Sequence, residues 1–190
     1  MNPFVTIVSG LPRSGTSMMM KMLEAGGKEL ISDGVRQADA DNPGGYFEFE
    51  KVKRLREDKS WLGQAAGKAL KVVSRLLYEL PMDRSYKVIF MQRNLHEILA
   101  SQAQMLCRLG RPVGDVDDSE MRDLFERHLA EVKKWLVEGE SFSVIHISYN
   151  QILQDPGGQS LAIKQFLGED LDVDKMAAVV DEGLYRQKMV

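Results

Sequence analysis

The chain has almost none of the residues that would staple it covalently or hold a metal. It carries one cysteine, Cys107, in 190 residues. That excludes an internal disulfide framework and fits a reducing compartment. Cys107 falls in a helical pattern, where a buried structural thiol is expected. Only three histidines occur, His96, His128 and His146, scattered without ligand spacing, so no metal site is expected. No apolar run reaches membrane length and the N-terminus lacks a secretory pattern, so a cytoplasmic chain without a membrane span is expected. An excess of charge is missing as well: 25 Lys and Arg stand against 28 Asp and Glu, a net charge of −3. There is no global field to attract nucleic acid or a membrane surface. Any anionic ligand must be met by cations placed locally.

A last absence is a single lysine. Gly10-Leu11-Pro12-Arg13-Ser14-Gly15-Thr16-Ser17 has the glycine spacing of the phosphate loop G-x-x-x-x-G-K-S/T. Thr16 stands where the lysine belongs, and the cation has moved inside the loop, to Arg13. Such a loop can cradle an anion on backbone N–H groups at a helix N-terminus. It is poorly equipped to cleave a nucleoside triphosphate. Context supports the motif, because Phe4-Val5-Thr6-Ile7-Val8 reads as a strand and Ser14 to Ala25 as a helix closed by Gly26-Gly27. Met18, Met19, Met20 and Met22 on that helix are read as core packing.

With 44% hydrophobic and 28% charged residues the composition is that of an ordinary globular chain. One domain over 1–190 is expected. Strand patterns fall at about 3–9, 68–73, 86–92 and 142–148, with a weaker one near 29–32. Helical patterns lie between them, so the fold class is α/β: a three-layer sandwich with a central, mostly parallel sheet. Residues 119–138 form an amphipathic helix with Met121, Leu124, Phe125, Leu129, Val132, Trp135 and Leu136 on one stripe. Segments 39–45 and 109–118 read as loops. Ligands of parallel α/β sheets bind at the carboxyl ends of the strands. That rule gathers the Arg13 loop, Lys71, Arg93 and Tyr149 at one edge.

Together these residues resemble the sulfotransferase family, whose members move a sulfuryl group from 3′-phosphoadenosine 5′-phosphosulfate (PAPS) to a hydroxyl or amine. The family's loop, P-K/R-S-G-T-S/T, is matched by Pro12-Arg13-Ser14-Gly15-Thr16-Ser17. Its arginine and serine for the 3′-phosphate are matched by Arg93 and Ser101, eight residues apart. Tyr149 in Tyr149-Asn150-Gln151-Ile152-Leu153 is similar to the tyrosine near the adenine. The arginine in the loop points to the branch that includes tyrosylprotein and bacterial carbohydrate enzymes.

The resemblance implies a P-loop sulfotransferase using PAPS, releasing PAP and needing no metal. Loop amides, Arg13, Thr16 and Ser17 would hold the 5′-phosphosulfate, and Lys71 would be a further cation near the transferred group. Arg93 would read the 3′-phosphate, or else pair with Glu97 on the next turn. The acceptor's base would be Asp33 or Glu48, ranked nearly equal, with Glu50 behind them and His96 structural. Tyr46, Phe47, Trp61 and the 109–118 loop are candidates for an acceptor pocket, with a small-molecule or carbohydrate-like acceptor expected. Arg186 and Lys188 could fold back onto the nucleotide. Two other readings are a phosphate-loop kinase of small molecules and a non-catalytic nucleotide binder. The sequence does not fix an oligomeric state.

Overall fold

A computed structural model describes residues 4–39, 42–110, 117–181 and 183. The first strand, β1 (Val5–Gly10), is buried along its whole length. Such a strand must lie in the middle of a sheet covered on both faces. Helix α1 (Thr16–Ala25) follows, and then β2 (Leu30–Ile31), β3 (Ala69–Lys71), β4 (Tyr86–Gln92) and β5 (Phe142–Ser148). The strands form one five-stranded sheet in the order β2-β3-β1-β4-β5. Every pairing is parallel, with Ile7 beside both Leu70 and Val88.

Alternation along the strands sorts the core into two halves. Val5, Ile7, Leu70, Val88 and Phe90 face one side. Short helices there contribute Trp61, Leu62 and Leu77, and helix α3 (Asp118–Glu138), which follows α2 (Leu95–Arg108), contributes Val132 and Leu136. Val8, Ala69, Ile89 and Met91 face the other side. There they meet Met19, Met20, Met22 and Leu23 of α1, Ile163 and Leu167 of α5 (Pro156–Leu167), and Met176 of α6 (Val173–Ala178). The methionine cluster of α1 is therefore core, apart from the half-buried Met18.

Two features depart from the sequence reading. Cys107, near the end of α2 (Leu95–Arg108), is exposed rather than buried. The apolar stripe of α3 is covered only in its second half: Val132 and Leu136 are buried, while Leu124 is 44% exposed. Periodicity identifies which face of a helix is apolar, but not how far the neighbouring layer extends beneath it. Residues 111–116 of the expected 109–118 loop lie outside the described residues, as do 40 and 41.

The chain leaves β1 toward β2 and β3 on one side, then crosses to β4 and β5 on the other. The carboxyl end of β1 is thus the point where the winding reverses, where open α/β sheets leave a crevice.

Candidate functional site

The crevice is a cleft of about 450 Å³. Its floor is the loop after β1. Gly10 has a φ of 149°, and a Cβ there would stand 2.7 Å from the Met91 carbonyl of β4. Gly15 has a φ of 98°, and a Cβ there would stand 2.5 Å from the Tyr149 ring. Both positions require glycine on conformational and steric grounds. Arg13 also adopts a left-handed φ, 73°, a conformation that costs a non-glycine residue about 1–3 kcal/mol. Among the described residues no side chain caps the first turn of α1, and no acidic residue lies in that turn. The positive end of the helix is left to an anion.

Pro12, Arg13, Gly15, Thr16 and Ser17 line the cleft. Ser14 does not: its hydroxyl packs back over Gly10, buried and without a hydrogen-bond partner among the described residues. Arg13 Nε donates to Ser101 Oγ at 2.9 Å. Arg93, just beyond β4, reaches the same corner, where its Nη1 donates to the Arg13 carbonyl at 3.2 Å. The Arg93 guanidinium lies 4.4 Å from the centre of the Tyr149 ring. Its Nε donates to Glu97 Oε2 at 2.8 Å, and the two side chains are only 8% and 3% exposed. Arg93 thus pairs with Glu97 and also lines the cleft.

Lys71, at the end of β3, forms the opposite wall. Its Nζ donates to the Tyr46 carbonyl at 2.6 Å and to Ser17 Oγ at 3.1 Å. Glu48 Oε1 lies 3.8 Å away. Burial lowers the Lys71 pKa to about 8, against the opposing pull of the Glu48 charge. Glu48 Oε1 also accepts from Arg36 Nη1 at 3.0 Å. Arg36 in turn stacks on the Tyr46 ring, 3.4 Å from its centre.

The two carboxylates that the sequence ranked together take different places. Glu48 lines the cleft beside Lys71, and Asp33 does not. Asp33 accepts the backbone N–H groups of Val35 at 3.0 Å and Glu50 at 2.6 Å. The desolvation it suffers at its exposed position works to raise its pKa, but these backbone donors outweigh it and hold the carboxyl below the usual aspartate value. Glu50 pairs with Lys53 at the surface. His96 is exposed on the first turn of α2, and Trp61 is buried in the core. Of the acceptor-side aromatics, Tyr46 lines the cleft, whereas Phe47 packs against the core. Arg186 and Lys188 lie outside the described residues.

The sequence reading missed Lys21, Arg36, Gln104, Arg108 and Asp181, all of which line the cleft. Some signal was present. Ser101, Gln104, Met105 and Arg108 share one helical face by spacing, as do Ser17 and Lys21. Among the described residues, no group of three or more His, Cys, Asp or Glu side chains is placed to hold a metal. No helix there is long and apolar enough to cross a membrane.

No curated protein sequence matches the chain. Among the solved structures that share its fold are two sulfotransferases. The sulfotransferase STF1 from Mycobacterium tuberculosis H37Rv superposes with a TM-score of 0.58 at 14% identity, over 94% of this chain and 71% of that one. The sulfotransferase domain from the curacin biosynthetic pathway gives 0.55 at 13% identity, over 98% and 92%. The sulfotransferase domain model matches residues 5–189, so that loop, Arg93 and Ser101 all fall within it. The chain belongs to the sulfotransferase domain family and is a transferase of sulfuryl groups.

Proposed function

We propose that this sulfotransferase takes its sulfuryl group from PAPS and passes it to a hydroxyl or amine, with Glu48 as base. The observation that carries the reading is the meeting of Arg13, Arg93 and the uncapped start of α1 at one cleft. A ligand with two separate anionic groups fits that arrangement. Arg93 and Ser101 form an anion site on the α2 side, suited to a 3′-phosphate. The loop amides, Thr16 and Ser17 form a second, suited to a 5′-phosphosulfate. Tyr149, under the Arg93 guanidinium, is the aromatic side chain suited to lie near the adenine.

Sulfuryl transfer through a loose, in-line transition state depends on positioning and charge, as phosphoryl transfer does. The acceptor oxygen bonds to sulfur while the bond from sulfur to the bridging oxygen of the 5′-phosphate breaks. Negative charge gathers on that bridging oxygen. Arg13 and Lys71 stabilise it from the two walls, Arg13 after releasing Ser101. Glu48 takes the acceptor's proton, a role worth roughly 10²–10⁴-fold. The polar walls at this end, Lys21, Arg36 and Asn42, suit a small-molecule or carbohydrate-like acceptor.

The test is calorimetry of the folded protein with PAP, against ATP·Mg as competitor. Tight PAP binding that ATP·Mg fails to displace is expected. Preference for ATP·Mg, or no affinity for PAP, overturns the proposal.

A further inference from the structure

The acceptor side of the cleft depends on residues 32–39 and 42–49, the described parts of the strap between the edge strand β2 and the turn at Glu50–Arg54. Lys71 Nζ meets this strap twice, at the Tyr46 carbonyl, 2.6 Å away, and at Glu48 Oε1, 3.8 Å away. Both can face one ammonium because Phe47, between them, turns the chain through a left-handed φ of 50°. A non-glycine residue keeps that conformation only where its surroundings over-determine it.

Two anchors flank Phe47. On the N-terminal side the Tyr46 carbonyl accepts from Lys71 Nζ and from Ser17 Oγ. On the C-terminal side the anchor is Asp33. Its backbone N–H donates to the Glu48 carbonyl at 3.1 Å. Its carboxylate accepts the Glu50 N–H at 2.6 Å and the Val35 N–H at 3.0 Å. The Val35 bond closes a tight turn that leads into Arg36, whose guanidinium holds Glu48 Oε1 at 3.0 Å. The carboxylate thus fixes the chain just beyond Glu48, and also the start of the segment that clamps the Glu48 side chain.

We propose that Asp33 is a positioning residue: its carboxylate clasps the strap so that Glu48 is held against Lys71. The role rests on the reading of Glu48 and Lys71 as the groups that serve the transfer. It separates the two carboxylates that the sequence could not distinguish, giving one to the proton and the other to the geometry.

The test needs no acceptor. Lys71 can be followed by NMR of side-chain carbon-labelled lysine in the full chain, assigned with Lys71→Met. Its titration reports whether a carboxylate stands beside it. Removing the Glu48 charge in Glu48→Gln should lower the Lys71 pKa by about one pH unit or more, the scale of an opposite charge within about 4–6 Å. Asp33→Ala should lower it nearly as far, although Asp33 is not in contact with Lys71. The double variant should then match Glu48→Gln alone. Asp33→Asn keeps one acceptor oxygen and should fall between wild type and Asp33→Ala; it serves if Asp33→Ala does not fold. At about pH 6, where Lys71 keeps its proton in wild type and variants alike, PAP affinity should be unchanged in each Asp33 variant, because Asp33 touches no part of the donor loop. Lys71 titrating as in wild type in a folded Asp33 variant overturns the proposal. So does an effect of equal size in the Glu48→Gln background. A wild-type protein without PAP affinity would overturn the PAPS reading and leave this experiment as informative as before.

Discussion

Arg93 is held in place before any ligand arrives, and the group that holds it is itself a buried charge. Glu97 is 3% exposed at its side chain and reaches Arg93 across one helical turn. Removing one member of such a pair strands the other, which typically destabilises by about 3–5 kcal/mol. Arg93→Ala should therefore lose PAP affinity and also stability, with Glu97 left facing the hole. Arg93→Ala with Glu97→Gln should recover most of the stability in urea melts while PAP binding stays lost. Recovery of binding in the double variant would mean that Arg93 does not touch the nucleotide. Lys71 presents the opposite case, a charge that the fold tolerates at a cost. Its pKa of about 8 lies below the ordinary value of 10.5 because burial penalises the ammonium. Between these values the unfolded chain binds a proton that the folded protein has released, so this group adds stability as pH rises through that window. Below about 8 the buried charge costs about 3 kcal/mol. Lys71→Met should raise the thermal midpoint at neutral pH and abolish transfer. PAP affinity of the wild type should fall as pH rises through about 8, and that limb should be absent from Lys71→Met.

At the scale of elements, the loop between β1 and α1 works because two glycines let other parts of the chain come close. Gly15 lies under Tyr149, the first residue of helix α4 (Tyr149–Gln154). Gly15→Ala forces a side chain into a left-handed φ, about 1–3 kcal/mol, and pushes its Cβ into the Tyr149 ring. The expected outcome is a lower unfolding midpoint and loss of PAP binding by calorimetry. Gly27→Ala, also at positive φ but with nothing within 4 Å of its Cβ, should keep binding. Elements of this kind were legible in the sequence, since a strand, a spaced pair of glycines and a helix form a local pattern. The strands β4 and β5 were legible for the same reason, as short runs rich in β-branched and aromatic residues. The Arg93 and Ser101 spacing could be read because Arg93 directly follows β4 and Ser101 lies on the helix that begins two residues later. What stayed hidden depends on contacts distant in sequence. Asp33 and Glu48 are both carboxylates in an aperiodic strap. Only the hydrogen bonds from Val35 and Glu50 turn one of them away from the cleft. Arg108 belongs to the cleft by helical phase, but that phase has meaning only once Ser101 has been placed.

For the molecule as a whole, charge is distributed against its own average. The chain carries a net −3, yet among the described residues the cleft is lined by six cations (Arg13, Lys21, Arg36, Lys71, Arg93 and Arg108) and two carboxylates (Glu48 and Asp181). A concave site with low-dielectric walls focuses that local excess, so an anionic nucleotide is drawn in by a protein of the same net sign. Association of PAP in stopped flow should slow as salt rises, with most of the loss by about 0.1 M, where the screening length is about 10 Å. Arg108 is the residue through which to test this. It is exposed at the rim, two turns along α2 from the Ser101 that lies beside Arg13. A rim charge acts chiefly on the encounter, whereas a buried contact acts on escape. Arg108→Ala should therefore lower the association rate and flatten its salt dependence, with the dissociation rate nearly unchanged. A faster dissociation with an unaltered salt slope would instead place Arg108 in direct contact with the nucleotide. The anion site on the α2 side would then extend beyond Arg93 and Ser101 to the end of the helix.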